Sequence, residues 1–286
     1  MTELSLPDVE SLRVERHGPV LHVTLDRPGR RNALDLAMVD GLDALCRALA
    51  ATPPEAIRAV VLRGAGGTFC AGGDLASFAA DEPVEAGIDD PVEIANRTFG
   101  RCLLRLEQLP QPVVAVVEGA ALGGGLGLVA VADVALAARD ARLGMPEVHI
   151  GLVPSQVAPF VVRRIGSGPA RRLAVTGAVV DGDEAAALGL VHEAADADAL
   201  DDALDRHLDD ILRCAPRAVA ATKDLLRQVP LRPLDPLLDD AARLFARALR
   251  GDEASEGLAA FADRRPPSWR TTVAQATVDP PPTNDD

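Results

Sequence analysis

Two glycine clusters are the segments of this chain best suited to chemistry. Phe69-Cys-Ala-Gly-Gly-Asp-Leu75 and Ala121-Leu-Gly-Gly-Gly-Leu-Gly127 each follow an apolar run and lead towards helix-forming sequence. A strand-to-helix junction leaves backbone N–H groups without intrahelical partners, and glycine lets a ligand approach them closely. Two such junctions brought together offer two amide donors to one oxygen, which is an oxyanion hole. Taken singly, either cluster serves equally well to permit a tight turn and close helix packing. A dinucleotide site fails on spacing, because Gly123 and Gly125 have no glycine at position 128 to complete G-x-G-x-x-G. The four cysteines (46, 70, 102 and 214) form no CxxC pair, and the five histidines (17, 22, 149, 192 and 207) show no metal-ligand spacing, so free thiols and no metal site are expected. Lys223 is the single lysine, which removes a Walker phosphate loop. Arg27, Arg30 and Arg31 make the one sharp basic spot near a recognisable motif, equally suited to meeting phosphates or to forming a solvated turn.

The surrounding sequence supplies elements to position these clusters. Val20 to Leu25 alternates apolar and polar residues at the period of a half-buried strand, with His22 on its polar face. Asp35 reads as the N-cap of a helix to Ala50, its Leu36, Val39, Leu42, Cys46 and Leu49 at helical spacing. Arg58–Arg63, Pro112–Val117 and Asp133–Ala138 read as buried strands, the first two running into glycine-rich turns. A helix is expected up to about Leu109, after a polar, acidic stretch (Asp81 to Asp90) that suits a flap or a surface loop. Strands alternating with helices make an α/β chain. Past about residue 195 the strands stop, and 199–263 reads as helical, with Asp235-Pro236 opening a helix whose Leu237, Leu238, Ala241, Phe245 and Leu249 share a face. That face must fold onto the core or onto a neighbouring subunit. The reading divides the chain into a core (1–195), a helical C-terminal segment (196–270) and a disordered tail (271–286) rich in proline and aspartate.

Bulk properties narrow the function classes. The 286 residues carry 29 basic and 43 acidic side chains, a net charge of −14, so nucleic acid and anionic membrane surfaces are poor partners. With 48% apolar and 25% charged residues the chain is globular in composition. No apolar run approaches the roughly 20 residues of a membrane helix, and the first residues lack the basic and apolar regions of a secretion signal. A cytoplasmic location is therefore expected.

Together, in order and with their flanks, the motifs resemble the enoyl-CoA hydratase/isomerase (crotonase) superfamily from about residue 12 to Trp269. The carriers are Asp26-Arg-Pro-Gly-Arg-Arg-Asn-Ala-Leu34, the two glycine clusters with Pro112-Val-Val-Ala-Val-Val-Glu-Gly119, Met145-Pro-Glu-Val-His-Ile-Gly-Leu-Val-Pro154, Leu188-Gly-Leu-Val-His192 and Ala260-Phe-Ala-Asp-Arg-Arg-Pro-Pro-Ser-Trp269. The resemblance implies a spiral of repeated β-β-α turns with a helical C-terminal part that supports a homotrimer or a dimer of trimers. It implies an acyl-CoA thioester substrate and no cofactor, coenzyme A being part of the substrate. By the same resemblance, the amides of Gly73 and Gly124 hold the thioester oxygen, Glu147 moves the proton, and Arg27, Arg30, Ala71, Gly73, Asp74 and Leu75 border the CoA moiety. Asp74 has a structural role as well, as a turn or helix cap.

One position departs from the pattern. Hydratases of the family commonly use two glutamates, and the second position is held here by Gly127. Hydration of a 2-enoyl-CoA, double-bond isomerisation by one glutamate, decarboxylation, and a CoA-thioester binder without turnover all remain open. Gly151-Leu-Val-Pro-Ser-Gln-Val-Ala-Pro-Phe-Val-Val162 is similar to the branched glutaconyl-CoA hydratases, a group that also tends to carry glycine at this place, and the balance leans to a hydratase. Ser155 and Gln156 then face water or a distal carboxylate, or simply start a helix. His149 reads as structural, Cys70 as an inert small residue, and Lys223 as lying on an exposed helix.

Overall fold

A computed structural model describes residues 9–74 and 90–278. Leu75 and residues 81–89 of the expected flap lie outside the described residues. The chain enters as a hairpin of β1 (Leu12–His17) and β2 (Val20–Leu25), followed by α1 (Leu36–Ala50). Asp35 caps α1 as expected, its carboxylate accepting from the Met38 amide at 2.9 Å. β3 (Ala59–Gly64) leads to the first glycine cluster, and α2 (Pro91–Glu107) follows, capped by Asp90 through the Val92 amide. β4 (Val113–Val117) and β5 (Ala120–Leu122) precede α3 (Gly124–Val131), and β6 (Val134–Ala138) and β7 (Arg142–Gly144) precede α4 (Ala158–Ile165) and α5 (Ser167–Thr176). Then come β8 (Val179–Val180), α6 (Gly182–Ala187), β9 (Glu193–Ala195) and α7 (Leu200–Leu212). Helices α8 (Pro216–Gln228), α9 (Leu234–Leu249), α10 (Asp252–Ala262) and α11 (Val273–Val278) complete the described chain.

Successive turns deal their strands to two sheets. The larger runs β1-β2-β3-β4-β6-β9, antiparallel only at the β1–β2 hairpin, and the smaller runs β5-β7-β8. Parallel strands covered on both faces read as unbroken apolar runs, and all five residues of β4 are buried. The first glycine cluster joins the smaller layer through a parallel bridge of Cys70 to Ala121, which is how the spiral brings the two clusters side by side.

The C-terminal boundary differs from the expectation. Leu200, Ala203, Leu204, Leu208 and Leu212 of α7 sit in the same apolar cluster as the strands, so the core does not close at residue 195. Beyond α7 only Pro216, Leu237 and Ala260 are buried apolar side chains among the described residues. The 213–270 segment is tied on by polar clasps instead. The buried Arg58 guanidinium donates to the carbonyls of Leu212, Cys214 and Trp269, at 2.9, 2.6 and 2.5 Å. Lys223 is a second clasp, and this corrects its expected exposure: its ammonium donates to Gln111 O at 2.9 Å and pairs with Asp133 at 2.6 Å. Val273–Val278, expected within the tail, is helical, and the Val273 amide donates to Asp209 at 2.8 Å; residues 279–286 lie outside the described residues. α9 starts at Leu234, just ahead of the expected Asp235-Pro236, and leaves Leu238, Phe245 and Leu249 exposed.

Candidate active site

The site begins with backbone geometry. Cys70 N donates to Ala120 O at 2.8 Å and Leu122 N to Cys70 O at 3.0 Å, so the first cluster runs as an extra strand beside β5. Leu34 N donates to Gly72 O and Asp74 N to Leu34 O, both at 2.8 Å, which turns the intervening Gly73 amide away from Leu34. Gly123 sits at φ +49°, a left-handed conformation that favours glycine, and swings the chain from β5 into α3. As the first residue of α3, Gly124 has an N–H with no intrahelical acceptor, at the positive end of the helix dipole. Gly125 keeps the two clusters tight, since a Cβ there would lie 2.6 Å from Cys70 O. The amides of Gly73 and Gly124 thus border one cleft of about 540 Å³.

Glu147 lines the same cleft, on a 3-10 turn at Pro146–Ile150 that ends in a left-handed Gly151. Its Oε2 is buried without a hydrogen-bond partner, and burial pushes its pKa above the ordinary glutamate range. A Cβ on Gly123 would lie 2.8 Å from Glu147 Oε1, so that glycine serves both the turn and the carboxylate. The rest of the lining is largely apolar, including Leu34, Val39, Phe99, Ile150, Leu152 and Val157. At Gly127, where a second carboxylate would stand, the space is filled: a Cβ would meet Leu103 Cδ1 at 3.0 Å and Val157 Cγ2 at 3.2 Å.

Residues 15–272 match the enoyl-CoA hydratase/isomerase family. The chain belongs to that family. As an enoyl-CoA hydratase/isomerase family enzyme it is similar to the enoyl-CoA hydratase/isomerase of Marinobacter aquaeolei, with 44% identity, a TM-score of 0.88, and coverage of 92% of this chain and 100% of that one. It is similar also to Pseudomonas aeruginosa AtuE, with 50% identity, a TM-score of 0.87 and the same coverage. The 2,3-dehydroadipyl-CoA hydratase of Escherichia coli is 29% identical over 92% of this chain and 99% of its own length.

The family enzyme's other expected site residues divide sharply. Arg27 does not stand free for a phosphate. Its guanidinium pairs with Asp35 at 3.2 Å and Asp74 at 3.0 Å and donates to Ala33 O at 2.5 Å, because two carboxylates converge on it. This gives Asp74 its structural role, alongside its backbone bond to Leu34. Arg30 and Arg31 are exposed on the neighbouring turn, and Ala71 N donates to Arg31 O at 3.0 Å, which sets that turn beside the first cluster. His149 Nε2 meets Thr176 O at 3.0 Å, a structural contact. Cys70 is no nucleophile: it is fully buried, and burial pushes its thiol pKa up to about 12. Among the described residues no cluster of three or more His, Cys, Asp or Glu side chains is arranged to hold a metal ion, and no helix is long and apolar enough to cross a membrane.

Sequence reasoning missed Asn96. This side chain lines the cleft from α2, where its Oδ1 accepts from Ser155 Oγ at 2.9 Å and from Gln156 Nε2 at 3.0 Å. The signal was a helical stripe, Asn96, Phe99, Gly100 and Leu103, at i, i+3, i+4 and i+7.

Proposed function

We propose that the enzyme adds water across the double bond of a 2-enoyl-CoA thioester, using one carboxylate. The thioester oxygen accepts from the Gly73 and Gly124 amides, and the acyl chain occupies the apolar cleft. Water attacks the β-carbon, and the π electrons move to the α-carbon and onto the held oxygen as an enolate. Glu147 takes the water's proton and returns it to the α-carbon, leaving a 3-hydroxyacyl-CoA. A carboxylate with a raised pKa suits both transfers near neutral pH. Each amide donor contributes on the order of 3 kcal/mol to the enolate-like transition state.

The observation that carries this reading is the meeting in one cleft of two outward-facing glycine amides and a buried, unpartnered carboxylate oxygen of Glu147. The CoA moiety is assigned to the edge formed by Arg30, Ala71, Gly73 and Asp74, and the 151–162 segment supports a branched acyl group. Coenzyme A arrives with the substrate, and no further cofactor enters the scheme. The exposed face of α9, with Phe245 and Leu249, supports a homotrimer or a dimer of trimers in the cytoplasm, serving fatty acyl-CoA metabolism. The missing carboxylate at 127 favours a second reading, double-bond isomerisation by Glu147 alone.

The test is turnover of crotonyl-CoA, 3-methylglutaconyl-CoA and a 3-enoyl-CoA offered separately. A product 18 mass units heavier than a 2-enoyl substrate is expected. Equal-mass conversion of the 3-enoyl substrate alone would make the enzyme an isomerase.

A further inference from the structure

Attack by water needs more than a base. A water that donates one hydrogen to Glu147 is still free to rotate, and a second acceptor for its other hydrogen fixes its lone pair on the β-carbon. Leu103 and Val157 close the space at Gly127, so no side chain reaches the cleft from that position. The neighbouring turn of α2 is different. A Cβ on Gly100 would lie 1.9 Å from Gln156 Oε1, so this glycine is the hollow into which the Gln156 amide fits. Gly100 lies one helical turn before Leu103, and Phe99 beside it packs within 3.3 Å of a Cβ built on Gly124. Gln156 lines the same cleft as Glu147 and the oxyanion glycine Gly124.

Its orientation follows from its partner. Asn96 Oδ1 can only accept, and it already receives Ser155 Oγ–H. It thereby takes the N–H side of Gln156, leaving Gln156 Oε1 as an acceptor at the Gly100 hollow, which the Arg97 guanidinium also borders. Asn96 and Ser155 are exposed and Gln156 is half-buried, so the trio stands at the solvent side of the cleft, where a water can reach it.

We propose that Gln156, oriented by Asn96, holds the attacking water in place of a carboxylate at position 127. This rests on the hydratase reading above. Gln156 Oε1 accepts the water's second hydrogen and is unchanged by the reaction, while Glu147 carries the proton. Gln156 touches the reacting water, and Asn96 is a positioning residue acting through it.

The experiment separates water addition from proton transfer. Hydration of a 2-enoyl-CoA is compared with deuterium exchange from D₂O into the α-carbon of a saturated acyl-CoA, a step that needs Glu147 and the oxyanion amides but no attacking water. Gln156→Leu is expected to lose on the order of 10²-fold in kcat for hydration, with KM and α-exchange within about threefold of wild type. Asn96→Ala should show a smaller loss of the same kind, and Asn96→Asp, which keeps the accepting oxygen, should restore most of it. Hydration undiminished in Gln156→Leu, or a parallel loss of hydration and exchange, overturns the proposal. A rise in KM alone does so as well, since it would assign the cluster to the acyl chain. A wild-type enzyme that exchanges but never hydrates would instead remove the hydratase reading itself.

Discussion

Positions 147 and 127 have opposite characters: Glu147 lines the cleft, and Gly127 is buried behind Val157, one of the cleft's lining residues. At 147 a carboxylate oxygen is buried without a partner, next to a glycine whose missing side chain makes room for it. At 127 a glycine is itself walled in by the carbon atoms of Leu103 and Val157. Leaving a buried oxygen unpartnered costs stability, on the order of 1–3 kcal/mol, and such costs concentrate where function requires them. Filling a hollow with aliphatic carbon stabilises instead. On the proposed reading, acid–base chemistry rests on one carboxylate, while position 127 is packed as core.

The largest effect that would break this contrast is at Glu147. Glu147→Gln should lower kcat for hydration by about 10³-fold, within the usual range for one acid–base group, while CoA-ester binding by calorimetry changes little. Gly123→Ala attacks the same carboxylate from its neighbour: a Cβ there meets Glu147 Oε1 at 2.8 Å, on a backbone at φ +49°. It should reduce kcat at least tenfold and cost about 1–3 kcal/mol in urea unfolding.

Gly127→Ala probes the packed position. With contacts of 3.0 and 3.2 Å awaiting the new methyl, it should destabilise the fold by about 1–3 kcal/mol, and Gly127→Glu should destabilise further without raising activity. An active, stable Gly127→Glu enzyme would show that the second carboxylate site persists.

The smallest expected effect is on stability against pH. Burial raises the folded pKa of Glu147 above its unfolded value. Below the unfolded pKa both states are protonated and no penalty arises. As pH rises through the window between the two values, the folded state loses stability, and above the folded pKa the loss is complete. Glu147→Gln should therefore melt slightly above wild type at pH 7, the gap closing below about pH 4. The acid limb of the wild-type kcat profile should lie above the ordinary glutamate range for the same reason.

The sequence carried some of this plainly and some of it not at all. The paired glycine junctions were legible because they are backbone requirements, written as residue types at fixed places: Gly123 must adopt a left-handed φ, and Gly125 must admit Cys70 O. β2, β3, β4 and β6 were legible because buried strands carry apolar runs or alternation, whereas β1 and the two- and three-residue strands β5, β7, β8 and β9 were not read as strands. Glu147 was legible only through its motif, since its burial depends on how Gly123 packs against it. Charge pairing was misread where the partners are distant in sequence. Arg27 is neutralised by Asp74, and Lys223 by Asp133, 90 residues away, so neither could be seen as engaged. Asn96 escaped because its partners are 59 and 60 residues off and its own segment offers only one polar residue on a helical face.

The central claim is that one carboxylate, Glu147, runs hydration. It is tested most directly by incubating wild type and Glu147→Gln with a 2-enoyl-CoA in D₂O enriched in ¹⁸O and reading the product by mass spectrometry. The account predicts a wild-type 3-hydroxyacyl-CoA carrying one ¹⁸O at the β-carbon and one deuterium at the α-carbon, and next to no product from the variant. Doubly labelled product from Glu147→Gln at a rate near wild type would contradict it.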